Sequence, residues 1–231
     1  MAGPRPIVVF DVDGVLVDVT ESYREAVCRT VEHFTGKRIA RASIQTYKNQ
    51  GGWNNDWALA QQIAADLGVE VAYETVVEQF QKFFLGPAGD GEGGLIERER
   101  WLPAPGLLER LGRRYQLAIF TGRIRLEMDI TLRRFARGVE FQPVVCSDDL
   151  ENGKPAPDGL LKIAAAHPGA PLYFVGDTVD DARSARAAGV PFLGIAAPAS
   201  PRREELVALY RAEGAMAILD NVNQLERALK P

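Results

Sequence analysis

Histidine is scarce in this chain, with only His33 and His167 among 231 residues. One falls in a helical pattern and the other just before Pro168-Gly169, a turn signal, so acid–base and metal work falls to carboxylates. Cysteine is as rare. Cys28 and Cys146 are far apart, which excludes closely spaced thiolate metal sites and points to free, buried thiols in a reducing compartment. There is no basic excess. A formal charge of −4 leaves nothing to neutralise phosphates along a strand, which argues against a nucleic-acid or acidic-membrane partner. Ile7 to Phe10 is far too short an apolar run to span a bilayer, and the opening Met-Ala-Gly-Pro-Arg-Pro lacks an apolar leader core. These gaps set the expectation of a cytoplasmic protein with no membrane partner.

What is present is ordinary globular composition, 46% hydrophobic and 25% charged, in a length suited to a large α/β domain or a core with an appendage. The chain is organised around Asp11 to Asp18. Ile7-Val8-Val9-Phe10 reads as a buried strand, and Asp11 and Asp13 arrive together where it ends. Carboxylates this close repel each other unless a cation or a proton relieves them.

Residues 19 to 85 then read as helical. Tyr23 to Phe34 and Trp57 to Leu67 show apolar residues three and four apart and stop at Gly36 and Gly68; Tyr73 to Phe84 ends near Gly86-Pro87. Gly89 to Gly94 follows no strand, carries two acids and lacks a Gly-Lys-Ser/Thr ending, so it reads as a flexible connector and not a phosphate loop. From about residue 100 the rhythm alternates. Strands are predicted at Leu117–Phe120, Pro143–Cys146, Leu172–Val175, Phe192–Ile195 and Ala217–Leu219, with helical patterns between them. Such alternation implies α/β architecture, a parallel sheet with helices on both faces, and ligands beyond the carboxyl ends of its strands.

That rule predicts polar loops after other strands, and they occur. Thr121-Gly122-Arg123 follows one strand and Gly176-Asp177-Thr178-Val179-Asp180-Asp181 another, while Gly153-Lys154-Pro155-Ala156-Pro157-Asp158 precedes the helix after Cys146. Acids, a hydroxyl, main-chain N–H groups and a lysine around one spot suit phosphoryl transfer. Clustered carboxylates need a hard cation, and oxygen donors select Mg²⁺. A carboxylate can serve as nucleophile, and a second can protonate the leaving oxygen and then activate water.

Together the four elements resemble, in order, the four motifs of the haloacid dehalogenase (HAD) superfamily: Asp-x-Asp-Gly-Val at Asp11, Thr-Gly-Arg at Thr121, Gly-Lys-Pro-Ala-Pro-Asp around Lys154 and Gly-Asp-Thr-x-x-Asp at Asp177. The resemblance implies a doubly wound, Rossmann-like core formed by residues 1–18 and 100–231. Residues 19–99 would form an all-helical cap of the superfamily's first type. It also implies Asp11 as nucleophile and Mg²⁺ ligand, and Asp13 as acid/base with its main-chain carbonyl on the metal. Thr121 and Gly122 would hold the phosphoryl group, Lys154 would orient Asp11, Asp177 would ligate the metal and Asp181 would support it. Asp180 lies off the pattern and reads as a solvent-facing or helix-start residue. Arg123 and Arg125 are within reach of substrate or of surface partners, and Asp18 or Thr20 is the expected cap of the first helix.

Asp13 favours phosphate-ester hydrolysis over carbon–halogen cleavage, which needs no proton donor there. A phosphosugar mutase shares all four motifs. A phosphonate hydrolase would need a reactive cap lysine, and Lys37, Lys48 and Lys82 have no apolar setting. A non-catalytic Mg²⁺-binding phosphoacceptor would not need Asp13 and Thr121. An EF-hand fails too, with Leu16 and Ser22 at its glycine and glutamate positions. Gln45 to Trp57 reads as a loop joining two cap helices, with Lys48, Asn49, Asn54 and Asn55 facing the leaving group or Asn54 or Asn55 merely capping a helix. The expectation is a Mg²⁺-dependent phosphatase, monomer or homodimer, acting on a small phosphorylated metabolite.

Overall fold

The computed structural model describes residues 4–229. They divide into two compact units, one formed by the chain up to Val17 and from Trp101 onward, the other by Asp18–Arg100.

In the first unit, β1 (Ile7–Phe10) is wholly buried, as its run of branched and aromatic side chains requires. The chain leaves this unit through β2 (Val17–Asp18), a two-residue strand.

The second unit is helical: α1 (Tyr23–Thr35), α2 (Arg41–Gln50), α3 (Asp56–Asp66) and α4 (Tyr73–Phe84). Its core is aromatic. The Tyr23 and Phe84 rings lie 4.1 Å apart, and Phe80 packs against Tyr23, Phe84 and Trp57. Asn55 ends the approach to α3, its Oδ1 accepting from the Trp57 and Ala58 N–H groups. Glu25 is buried on α1 and accepts from Arg29, Arg38 and Arg41. The chain returns through a 3₁₀ turn at Leu95–Arg98 and through β3 (Arg100–Trp101), which pairs with β2.

The first unit then continues with α5 (Leu107–Arg114), β4 (Gln116–Phe120), α6 (Arg125–Phe135), β5 (Val144–Val145), α7 (Asp158–Ala166), β6 (Leu172–Gly176), α8 (Val179–Ala188), β7 (Phe192–Ile195), α9 (Arg203–Ala212), β8 (Ala217–Leu219) and α10 (Leu225–Ala228). Among the described residues β5-β4-β1-β6-β7-β8 form one six-stranded parallel sheet flanked by helices. Strand order reverses at β1, with β4 on one side and β6 on the other, so the chain has the doubly wound topology in which ligands sit at the switch point. A row of rings, Phe120, Phe174, Phe192 and Tyr210, fills the layer between sheet and helices at centroid spacings of 5.8, 6.1 and 5.3 Å.

Four local expectations are corrected. Arg41–Gln50 is a helix, so Gln45, Lys48 and Asn49 stand on α2 and only Gly51–Asn55 connects it to α3; Ile44 is its one buried apolar residue, and its other buried positions, Gln45 and Asn49, are polar. Neither Asp18 nor Thr20 caps α1. Asp18 accepts instead from the Thr20 N–H, and the residue preceding α1, Ser22, donates to Glu99. The Gly89–Gly94 stretch folds back on the end of α4, with the Gly91 N–H donating to the Leu85 carbonyl at 2.9 Å. Of the two readings of Asp180, the solvent-facing one fails and the helix-start one holds: it is buried in the first turn of α8, with Arg183 at 3.9 Å.

Candidate active site

Three loops leave the carboxyl ends of neighbouring strands at the switch point. Phe10 of β1 is paired with Ile119 of β4 and with Val175 of β6, so Asp11, Thr121 and Asp177 emerge at nearly the same level. The Asp11 N–H donates to the Val175 carbonyl at 2.8 Å, which carries the ladder one step past β1. The chain then turns sharply. The Leu16 and Val17 N–H groups donate to the Val12 carbonyl, and the Gly14 N–H donates to the Val17 carbonyl. Gly14 has a φ of +71°, and a Cβ there would lie 1.9 Å from Asp177 Oδ2. Glycine is therefore needed twice over, for the left-handed turn and for the approach of the Asp177 carboxylate.

The Thr178 hydroxyl caps α8 by accepting from the Asp181 N–H, and the Asp181 carboxylate answers. Asp181 Oδ2 accepts from the Asp177 N–H (3.1 Å), the Thr178 N–H (3.0 Å) and the Thr178 hydroxyl (2.7 Å). Gly176 makes room, since a Cβ there would fall 2.4 Å from the Asp181 Cβ. The other oxygen, Asp181 Oδ1, lies 2.7 Å from Lys154 Nζ, which also lies 2.8 Å from Asp11 Oδ1. Lys154 comes from the loop before α7, which Ser184 of α8 ties down by donating to the Ala156 carbonyl. Its ammonium sits over the Phe120 and Phe174 rings, 4.9 and 5.3 Å from their centroids.

All three of these charges are buried. Burial pushes the Asp11 carboxyl up to about 7, opposed by Lys154 and reinforced by Asp181 and Asp13. For Lys154, burial works against the charge, but Asp11 and Asp181 outweigh it and hold the ammonium above its ordinary range. A lysine that cannot lose its proton is still not enough cation for Asp11.

The donor set says what would relieve it. Oxygens of Asp11, Asp177 and Asp181 lie within 4.8 Å of one another, with no thiolate or imidazole among them. Hard oxygen donors of this kind fit a divalent hard cation and not a soft transition metal. Both oxygens of Asp181 already have partners, Lys154 for one and the start of α8 for the other.

Asp13 is set apart from Asp11 although only Val12 separates them. Its side chain is 27% exposed, and Arg123 Nε and Nη2 both donate to its Oδ1, at 2.8 and 2.6 Å. Arg123 is completely buried, and its Nη1 donates to the Thr131 hydroxyl at 2.6 Å. The structure thus turns Arg123 onto Asp13, a partner that its position in Thr-Gly-Arg does not reveal. Thr121 is buried with its hydroxyl oxygen accepting from the Arg123 N–H, and Gly122 is exposed. Arg125 pairs with Asp149 and donates to the Val144 carbonyl.

In the helical unit, Lys48 Nζ lies 2.7 Å from Asp56. Asn55 is the cap of α3, with its amide donating to the Tyr73 hydroxyl, and Asn54 beside it is half-buried.

The sequence profile of haloacid dehalogenase-like hydrolases matches residues 6–189. An imidazoleglycerol-phosphate dehydratase of Phytophthora nicotianae is 33% identical over 213 residues, which cover 86% of this chain but 45% of that protein, so the chain spans less than half of that curated relative. The probable phosphatase IndB of Dickeya dadantii (strain 3937) is 27% identical over 201 residues, 83% of this chain and 81% of that one. Among solved structures, a phosphatase from Thermococcus thioreducens shares the fold with a TM-score of 0.61 and 26% identity, over 90% of this chain and 98% of its own. No helix among the described residues is long and apolar enough to cross a membrane. With the profile matched over most of its length, this chain belongs to the haloacid dehalogenase-like hydrolase family.

Proposed function

We propose that the chain is a Mg²⁺-dependent phosphatase of small phosphorylated metabolites, with Asp11 as nucleophile and Asp13 as acid and then base. One observation carries the reading. Two carboxylates on one turn face different cations, Asp11 buried against Lys154 and Asp13 part-exposed on Arg123. Asp11 stands among the oxygens of Asp177 and Asp181, where a bound cation would hold it anionic, whereas the part-exposed Asp13 is open to exchange a proton with a leaving oxygen or water.

In the first step an oxygen of Asp11 bonds to phosphorus as the bond to the leaving oxygen breaks, and that oxygen takes the Asp13 proton. In the second, Asp13 removes a proton from water, the water oxygen bonds to phosphorus, and the acyl-phosphate bond breaks to return Asp11 and release phosphate. The Thr121 hydroxyl and the Gly122 N–H hold the phosphoryl oxygens, and Lys154 offsets the charge on Asp11. Asp11, Asp177 and the Asp13 main-chain carbonyl would hold Mg²⁺ with support from Asp181, and the ion would neutralise phosphate charge. Substrate selection falls to the inserted helical unit, with Lys48, Asn54 and Asn55 as candidates. Lys48 and Asn55 would have to exchange their present partners to take part.

A panel of small phosphate esters, assayed with Mg²⁺ and with EDTA, tests this. The expected result is Mg²⁺-dependent release of phosphate from at least one ester, abolished in Asp11→Asn. No release from any ester, or release that persists in Asp11→Asn, overturns the reading.

A further inference from the structure

Arg123 is a fully buried guanidinium, and burying a cation is costly unless each of its donors is used. Its donors are spent in an unusual way. Nε and Nη2 both converge on Asp13 Oδ1 and neither falls on Oδ2, while Nη1 is pinned from behind by the Thr131 hydroxyl on α6. The fork therefore fixes the rotation of the Asp13 carboxylate and turns one defined oxygen, Oδ2, away from the cation. The main chain of the same residue does the same for a second group. The Arg123 N–H donates to Thr121 Oγ1 at 3.1 Å, filling a lone pair of that hydroxyl and leaving its O–H to point elsewhere.

Resting on the phosphatase reading above, we infer that Arg123 is a positioning residue that sets the proton-transfer geometry of the site. Its side chain holds Asp13 with Oδ2 toward the leaving oxygen, and its main chain holds the Thr121 hydroxyl as a donor to the phosphoryl group. It touches no substrate. The loops after β1 and β4 are thereby locked together, so that the proton donor and the phosphoryl cradle keep one spacing. A guanidinium fork can do this and an ammonium cannot, because a lysine has no two coplanar donors to direct at one oxygen.

The test separates proton transfer from binding by changing the leaving group. p-Nitrophenyl phosphate departs with little help from an acid, whereas phenyl phosphate needs the proton. Arg123→Met should lower kcat about 100-fold on phenyl phosphate and about 10-fold or less on p-nitrophenyl phosphate, with KM for each changed less than about threefold. Arg123→Lys should restore little. In an Asp13→Asn background the same Arg123→Met change should have no further effect on kcat, an absence of additivity that general loss of structure would not produce. Thr131→Val keeps the guanidinium but removes the hydroxyl that accepts from Nη1, and should show the same leaving-group bias at smaller amplitude; it decides the matter if Arg123→Met does not fold. Equal losses on both esters, or full additivity with Asp13→Asn, overturn the role of Arg123 alone. Unchanged turnover in Asp13→Asn would instead overturn the phosphatase mechanism on which it rests.

Discussion

Replacing Asp11 by Asn should end turnover and at the same time make the protein more stable. The Asp11 carboxyl is pushed from an ordinary 3.8 up to about 7, first by burial and then by Asp181 and Asp13, against the pull of Lys154. A carboxyl raised on folding contributes stability that is complete below about 3.8, where it is protonated in both states, and that is lost as the pH rises through about 7. At pH 7.5 the difference of about three pKa units amounts to roughly 4 kcal/mol against the folded state. Asn is neutral at every pH and nearly the same shape, so it escapes that cost. The buried amide must still find partners for its own N–H groups, which takes back part of the gain. A net stabilisation of about 2 kcal/mol is expected.

Urea unfolding at pH 7.5 in EDTA measures it, and with a slope of roughly 2 kcal/mol per molar the midpoint should rise by about 1 M. The gap should narrow steadily as the pH falls from about 7 toward 3.8, because wild type recovers its Asp11 proton and the variant has nothing to recover. Saturating Mg²⁺ should raise the wild-type midpoint at pH 7.5 well above its effect on the variant, since only wild type gains a cation for a buried anion. An Asp11→Asn protein less stable than wild type at pH 7.5, with a gap that does not vary with pH, would refute the reasoning. It would mean that Lys154 already satisfies Asp11 and that the site has no unmet demand for positive charge.

Two further outcomes follow from single residues. Glu25 meets a burial cost that would raise its pKa, but hydrogen bonds from Arg38, Arg41 and Arg29 outweigh it and pull the carboxyl down to about 2. A depressed carboxyl contributes stability above about 4.5 and loses it as the pH falls toward 2, so Glu25→Gln should cost about 1–2 kcal/mol at pH 7, discounted because the arginines are partly exposed, with a gap in melting temperature that narrows as the pH falls below 4.5. Gly14→Ala places a Cβ against Asp177 in a left-handed turn, and should cost about 1–2 kcal/mol of stability and weaken Mg²⁺ binding at least tenfold, measured as the Mg²⁺ concentration that gives half-maximal thermal stabilisation; unchanged Mg²⁺ dependence would separate Asp177 from the metal.

The strands of the main sheet were legible because each is a short apolar run of branched or aromatic residues ended by polar ones, and β1 through β8 of that sheet fall where those runs predict. The carboxyl-edge rule then gathered Asp11, Thr121, Lys154 and Asp177 without any knowledge of contacts. α2 was not legible as a helix, since apolar periodicity cannot register a buried face made of Gln45 and Asn49 around a single isoleucine. Nor were β2 and β3, which at two residues each carry no pattern. The partner of Asp13 was hidden for a different reason. Arg123 lies 110 residues away, and no spacing rule connects the two. What connects them is register: with Phe10 opposite Ile119, Asp13 and Arg123 fall three and four residues beyond a paired position on adjacent strands. A reader who knew that β1 and β4 are neighbours could have drawn that line. Alternation implies a parallel sheet, but it does not state the order of its strands.

Register also explains why the site can hold four acids at once. Each loop brings its own means of tolerating charge, and none relies on solvent alone. Asp181 is neutralised within the start of its own helix, where the capping box and Lys154 take both oxygens. Asp13 is held by a guanidinium delivered from the next strand. The Asp177 carboxylate is admitted by the missing side chain at Gly14. Asp11 is left with burial working against its charge, and it stands at the end of a strand that the core encloses along its whole length. A more exposed Asp11 would cost the fold less, but it would also be hydrated and bind a cation less strongly. On the function proposed here, the stability given up at that one position would be the physical counterpart of a metal ion's affinity for the site, and any variant that restores the stability by removing the charge should lose that affinity.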